Sequence, residues 1–194
     1  RLNLLNNRLN ISASLFPNTR KNTQERIPEA QLPKELQGTG TYYQPGVSGR
    51  ADGGEIRIVG NPAPGWTLIG GYGYVDGRIT RSLYTPAIVG QPLTPALHHS
   101  ANVTSSYSIR QGIWRGLKFG GGAVFKDRVQ PQPDITWKNP SAVVYHAMIA
   151  YKKRIGGYDG ELQVNVRNLT DKLYLNAFRF EEPRNITVTS RISF

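Results

Sequence analysis

Residue types able to do chemistry are few in this chain, and their spacing does not suit catalysis. His98 and His99 are adjacent, Ser100 follows, and Asp76 or Asp127 could be recruited to them. No spacing among them supports a nucleophile–base–orienter triad. Neighbouring histidines on a strand point to opposite faces, so the pair is a poor chelate for one metal ion. Gly70-Gly71-Tyr72-Gly73 and Gly120-Gly121-Gly122 lead into no helical pattern and do not read as phosphate loops. Glycine there is expected to permit strand curvature or close packing. The chain has no cysteine, which excludes disulfides, zinc–thiolate sites and cysteine nucleophiles. The sequence identifies no catalytic residue and no metal site; its chemistry points to binding.

What it would bind is suggested by charge. Lys and Arg number 24 against 13 Asp and Glu, a formal charge of +11. That balance suits an anionic partner: nucleic acid, lipopolysaccharide or an acidic ligand. The basic residues are spread along the chain rather than clustered, which weakens the nucleic-acid option. Arg57, Lys118, Lys126, Arg167 and Arg191 occupy polar positions of alternating segments and are candidate ligand contacts. Tyr84 and Trp137, with Tyr42, Tyr43, Phe178 and Phe180, fall in long connections and could line an external pocket with apolar walls. The plainer reading is that these charges bond to neighbours and water, and that the aromatics pack loops together.

The elements that must position these residues are strands. From Asn185 to Phe194 the chain alternates, with Ile186, Val188, Ser190, Ile192 and Phe194 on one face and Asn185, Thr187, Thr189, Arg191 and Ser193 on the other. Its length fits a tilted membrane-crossing strand of roughly 9–11 residues. Stopping on an aromatic behind alternate apolar residues resembles the C-terminal assembly signal of bacterial outer-membrane barrels, carried here by Phe194, Ile192 and Val188. The same alternation recurs at Leu9–Leu15, Gly54–Ile58, Trp66–Tyr74, Ala101–Tyr107, Leu117–Phe125, Val143–Tyr151 and Leu162–Val166. That makes about eight strands and no convincing helix, with one helical turn at most over Leu32–Leu36. Short connections are expected at Asn61–Gly65, Arg110–Arg115 and Lys152–Gly160, and long ones over Lys21–Val47, Thr80–Pro95, Val129–Ser141 and Thr170–Glu182. Short turns on one side and long loops on the other suit an outer-membrane barrel, as do aromatics near strand ends (Trp66, Tyr72, Tyr74, Tyr107, Trp114, Tyr145, Tyr151). A soluble sandwich would explain any single strand, but not the alternation of loop lengths.

Several segments resemble TonB-dependent outer-membrane receptors, closest to the siderophore-receptor branch. Pro64-Gly65-Trp66-Thr67-Leu68, then Gly71-Tyr72-Gly73-Tyr74-Val75-Asp76, is similar to a hairpin of that family. Asn165-Val166-Arg167-Asn168-Leu169-Thr170-Asp171-Lys172-Leu173-Tyr174 resembles its segment before the closing strand. Pro95-Ala96-Leu97-His98-His99 through Asn102, Gly120–Phe125 and Glu182-Pro183-Arg184 fit the same pattern. At Gly53-Gly54-Glu55-Ile56-Arg57, Arg57 reverses a charge common in the family.

The resemblance implies an all-β, antiparallel up-and-down transmembrane barrel of about 22 strands, closed around a plug. Residues 1–194 would be its C-terminal portion, with plug and signal peptide lying upstream. The implied function is reception and TonB-energised import of ferric siderophores, with no covalently bound cofactor. Implied partners are the ferric siderophore, TonB, outer-membrane lipid or lipopolysaccharide and the barrel assembly machinery, not nucleic acid. Related receptors for cobalamin, haem or an oligosaccharide, and a stand-alone eight-strand barrel with a structural or adhesive role, are the alternatives.

Overall fold

The computed structural model describes residues 1–93, 98–132 and 135–193. Phe194, on which the assembly signal ends, lies outside the described residues, as do Pro95, Ala96 and Leu97 of the strand-entry segment. Among the described residues, nine strands form one antiparallel sheet in which neighbours in sequence are neighbours in space: β1 (Leu2–Leu4), β2 (Leu9–Arg26), β3 (Tyr43–Gly60), β4 (Trp66–Arg81), β5 (His99–Ser108), β6 (Leu117–Lys126), β7 (Ala142–Ile155), β8 (Tyr158–Arg167) and then β11 (Asn185–Ser193). Between β8 and β11 a small hairpin, β9 (Leu175–Asn176) with β10 (Arg179–Phe180), stands outside the main sheet.

The register carries the two-faced pattern across the whole sheet. Ala13 lies opposite Ile56, Ile56 opposite Tyr72, Tyr72 opposite Ala101, Ala101 opposite Phe125 and Phe125 opposite Val143. Lower down, Trp66 opposes Tyr107, Tyr107 opposes Phe119 and Phe119 opposes Ile149. Val164 then faces Val188 and Val166 faces Ile186. Every member of these rows belongs to the apolar parity, so one continuous apolar face results, and its large side chains are exposed (Leu15 90%, Val188 63%). A water-facing sheet would not leave such a face open; hydrocarbon is the solvent it fits. Trp66 and Tyr74 are eight residues apart on β4. At a rise of ~3.3 Å per residue and a tilt near 40° this separates two aromatic rows by roughly 20 Å along the membrane normal, close to the height of a barrel's apolar band.

Three expectations need correction. The Lys21–Val47 stretch is not all loop, because β2 runs on to Arg26 and β3 begins at Tyr43, paired as Arg26 to Tyr43. This ribbon stands above the membrane, polar on both faces, so hydrophobic alternation gives no sign of it. The Lys152–Gly160 turn is much tighter. Ile155 pairs with Tyr158 across Gly156 and Gly157, both at positive φ, a backbone that glycine adopts without a Cβ clash. The helical turn expected at Leu32–Leu36 is two 3-10 turns, Glu29–Gln31 and Lys34–Leu36, and a third covers Pro86–Ile88.

The short connections (Leu5–Arg8, Asn61–Gly65, Ile109–Gly116 and Gly156–Gly157) lie at one end of the sheet and the long ones at the other. Val188→Arg is expected to cost about 2–4 kcal/mol by placing a cation on the lipid face near mid-strand, and Thr189→Arg, one residue away on the polar face, far less. Heat-modifiable gel mobility of the two variants in the complete protein measures this; equal folded yields would contradict the facing.

Candidate functional site

The polar face holds a recess of about 700 Å³ at the long-loop end of β5–β8. Thr104, Val124, Lys126, His146, Asn165 and Arg167 form its floor, and Tyr174, Glu181 and Glu182 of the β8–β11 connection overhang it. The volume is in the range of small-molecule sites. Its floor is built by parity: Lys126 ends β6, His146 lies on β7, and Asn165 and Arg167 lie on β8, each pointing away from the apolar face. His146 Nε2 and Thr104 Oγ1 are hydrogen-bonded at 3.0 Å across the intervening strand. That reach needs Gly122 between them, since a Cβ there would collide with the Val103 carbonyl and the His146 ring.

The overhang is tied down from both ends. Asn168, 3% exposed and at φ 48, donates from Nδ2 to the carbonyls of Lys172 (3.0 Å) and Glu182 (3.2 Å), and accepts the Lys172 N–H at 2.9 Å. One amide thereby joins the start of the loop to its finish. Asp171 accepts the Arg184 N–H at 2.7 Å and closes the same base. Higher up, Lys126 donates to Glu181 Oε1 at 3.0 Å, and Asn176 donates to the same oxygen at 2.7 Å. The Lys126 ammonium also lies 5.2 Å from the centre of the Tyr174 ring, within cation–π range. The hydrogen bonds from Lys126 and then Asn176, acting against partial burial, hold the Glu181 carboxyl below the usual carboxylate range.

The five basic candidates do not form one site. Lys126 and Arg167 line the recess. Lys118 lies eight residues along β6 from Lys126, roughly 26 Å at strand rise. Arg191, opposite Glu161, and Arg57, three residues from the end of β3, are also at the short-turn end. Lys126 is already engaged by Glu181, whereas the Arg167 guanidinium has no ion pair or hydrogen bond among the described residues. Tyr84 and Trp137 sit on different loops. The Trp137 ring meets Phe178 edge-on at 6.3 Å, packing the β6–β7 connection against the β9–β10 hairpin. Buried Asn139 (1% exposed) joins the same two segments, donating to the Ala177 carbonyl at 2.8 Å. His98 and His99 separate as their parity requires: His99 Nδ1 meets Tyr72 Oη at 2.7 Å on the apolar face, and His98 lies beside Asp76 at 3.9 Å.

Sequence reasoning missed Glu25. Its carboxylate accepts the Ser82 hydroxyl and the backbone N–H groups of Leu83 (2.9 Å), Tyr84 (3.2 Å) and Thr85 (3.2 Å). Glu25 lies ten residues beyond Leu15, whose row crosses Gly54 to Tyr74, and so stands well above the apolar band. Burial tends to raise its pKa, but the four hydrogen bonds outweigh this and hold it low. A lone acid in a polar run, with partners some 57 residues away, leaves no local signal.

Both carboxylates have lowered folded pKa values. Their stabilisation is therefore present above the ordinary carboxylate range and is lost as pH falls through the depressed values. Glu181→Gln is expected to loosen the 174–181 segment by ~1 kcal/mol, read as faster amide exchange there at neutral pH, and to remove most of the acid-induced rise seen in the parent. Glu25→Gln should raise tryptic cleavage at Arg81 while leaving folded yield unchanged.

The family model "TonB dependent receptor-like, beta-barrel" matches residues 1–169. A probable TonB-dependent receptor of Bordetella pertussis, BfrD, is 28% identical over 182 residues, covering 88% of this chain and 22% of that protein. A probable TonB-dependent siderophore receptor of Acinetobacter baumannii, PiuA, is 28% identical over 183 residues, again 88% of this chain and 22% of the relative. The crystal structure of BauA, the ferric preacinetobactin receptor of the same species, superposes with a TM-score of 0.78 at 17% identity, covering 95% of this chain and 27% of that one. The chain thus spans about a fifth of the length of these curated relatives.

Proposed function

This chain belongs to the TonB dependent receptor-like β-barrel family, and on that premise we propose that the complete protein is an outer-membrane receptor and importer of ferric siderophores energised through TonB. Barrels of this family reside in the outer membrane, so the short turns face the periplasm and the long loops face outward. The observation that carries the proposal is the two-faced register. A lipid-fit outer face is joined to a polar inner face whose recess opens at the loop end, which is the form of a binding wall rather than of a structural barrel packed shut. The siderophore-receptor name of a 28%-identical relative supports the ligand class.

In this reading the segment binds and gates; it does not catalyse. Arg167 supplies the cation left open in the recess for an anionic ferric chelate. Lys126 is drawn from Glu181 only when ligand or loop movement replaces that partner, so the β8–β11 loop is coupled to occupancy. Tyr84 and Trp137 line the outer approach. Arg57, Lys118 and Arg191 belong to the periplasmic half of the inner wall, where they face a plug and water rather than the incoming chelate. Plug and TonB contacts are assigned to parts of the complete protein beyond these residues. The closing strand, with Val188, Ile192 and Phe194, is assigned to recognition by the barrel assembly machinery, and the apolar face to outer-membrane lipid.

Deleting the gene in an iron-starved strain is expected to abolish uptake of radioactive iron from at least one ferric hydroxamate or catecholate, in a TonB-requiring manner. Unchanged iron uptake with lost cobalamin, haem or oligosaccharide uptake would overturn the ligand class. Arg167→Gln is expected to weaken chelate binding by the purified receptor roughly tenfold, with barrel yield unchanged.

A further inference from the structure

Charge on the inner wall is matched near the long loops and unmatched near the short turns. At the upper end Lys126 meets Glu181 and Glu182 lines the same recess, so the Arg167 guanidinium is the cation left open there. At the lower end strand pairing sets Lys118 opposite Ala150, Lys152 opposite Glu161 and Glu161 opposite Arg191, all on the parity that faces away from the apolar rows. Arg57, opposite Gly71, shares that parity, as does Arg154, opposite Asp159. Arg8 and Arg110 line a recess with Thr67 and Ser108, which are inner residues by the same count. Among the described residues the acids of this end are Asp159 and Glu161; Glu55, two residues above Arg57, accepts the Ser14 hydroxyl at 3.0 Å. Lys152 reaches Asp159 at 3.6 Å, while Arg110, Arg115 and Arg154 have no ion pair among the described residues.

Part of this basic band is concave. Arg110, Arg115, Lys152, Arg154 and Asp159 line a recess of about 700 Å³, as large as the one beneath the β8–β11 connection and within the range of small-molecule sites. Its two sides are joined by backbone: Lys152 N–H donates to the Gly116 carbonyl at 2.9 Å, and Gly116 N–H to the Ile109 carbonyl at 3.1 Å. Gly116, at φ 95, leaves no room for a Cβ against the Lys152 carbonyl. Strand pairing therefore imposes the approach of the cations, whose side chains are exposed and open to a ligand. Arg167 and Glu161 are six residues apart on β8, which puts the two recesses roughly 20 Å apart along the wall. The inner positions between them on β7 and β8 are uncharged: Met148 opposite Asn165, then Ala150 opposite Gln163. A low-dielectric wall lined by one sign of charge focuses the field, so an anion gains by passing from the upper recess to the lower.

We propose that the lower recess is a second, exit-side site for an anionic ferric chelate, held there by Arg110, Arg115 and Arg154. The step from one open cation to three gives the passage its direction. A ferric tricatecholate is a trianion, and three guanidiniums, always charged and each presenting a fork of donors, match it in sign and number. Lys152 keeps Asp159 occupied, so no acid in the lining offsets them. Chelate released from Arg167 is recaptured below rather than lost outward. The site rests on the import reading, from which it takes its ligand.

The test uses the complete receptor in mild detergent, where both mouths are open to solution. Equilibrium dialysis is run with radioactive iron in two hexadentate chelates, a tricatecholate (a trianion) and a trihydroxamate (neutral), and heat-modifiable mobility checks that each variant is folded. The wild type is expected to hold the tricatecholate at two sites. Arg110→Gln/Arg154→Gln should weaken one of them roughly tenfold or more and leave unchanged the site that Arg167→Gln weakens. In iron-starved cells the double variant should slow uptake of an imported anionic chelate at saturation roughly fivefold, with surface affinity unaltered. A single site in the wild type, a second site indifferent to the double variant, or equal retention of the neutral chelate there overturns the inference. So does displacement by inorganic phosphate at equal concentration, which would mark a general anion site. An acidic segment of the complete protein filling the recess would leave the wild type one site and make the double variant leaky to a large hydrophilic antibiotic, and that result also overturns it. Intact chelate import with single-site binding defeats this inference alone, whereas a wild type that imports no ferric chelate defeats the import reading with it.

Discussion

Hydrocarbon offers no partner to a backbone N–H or C=O, and this constraint governs everything else in the molecule. Each strand must pair with its neighbours throughout the bilayer, so the register of one hairpin dictates that of the next. Because side chains alternate strictly, a slip of one residue would turn an entire apolar row inward. The unbroken rows from Ala13 to Val143 and from Trp66 to Ile149 show the six strands from β2 to β7 obeying one register. The inner face inherits its polarity from the same rule. Arg167 and His146 look into the recess because Val166 and Ala147 look out.

Above the membrane water can satisfy the backbone, and the construction changes. The long loops are held at their bases by a few polar side chains, each making several bonds. Glu25 gathers one hydroxyl and three consecutive backbone amides, Asn168 bridges two ends of a loop, and Glu181 collects Lys126 and Asn176. Charged acceptors suit this work because each bond to an ionised group is stronger than a neutral one. Apolar packing joins in where two loops meet, as at Trp137 and Phe178.

The barrel wall was legible because its signal is local. Period-two alternation, turn residues and the contrast between short and long connections gave the strands, their facing and the asymmetry of the two ends. The polar ribbon at the tops of β2 and β3 was not legible, because a hairpin wetted on both sides has no apolar face to alternate. The β9–β10 hairpin is too short to show a period. For the recess, parity correctly turned Lys126 and Arg167 inward but could not tell that Lys126 already has an acidic partner 55 residues on. Glu25 escaped notice for the same reason: its partners are brought by the fold, and no spacing encodes them. Asn168 and Asp171 were visible as a motif, and their bonds now give that motif a mechanical meaning as the clasp of a loop.

The clasps at Glu25 and Asn168 separate two kinds of constraint within one chain. A side chain in a strand must suit a neighbour on either side. The loop tips above Glu25 and Asn168 are answerable to no such ladder. Gly40, for example, would place a Cβ in open space. A tip can therefore lengthen, shorten or change its chemistry while the stitch beneath keeps its ends in place. That arrangement lets the chemistry of the outer end change without renegotiating how the wall sits in the membrane.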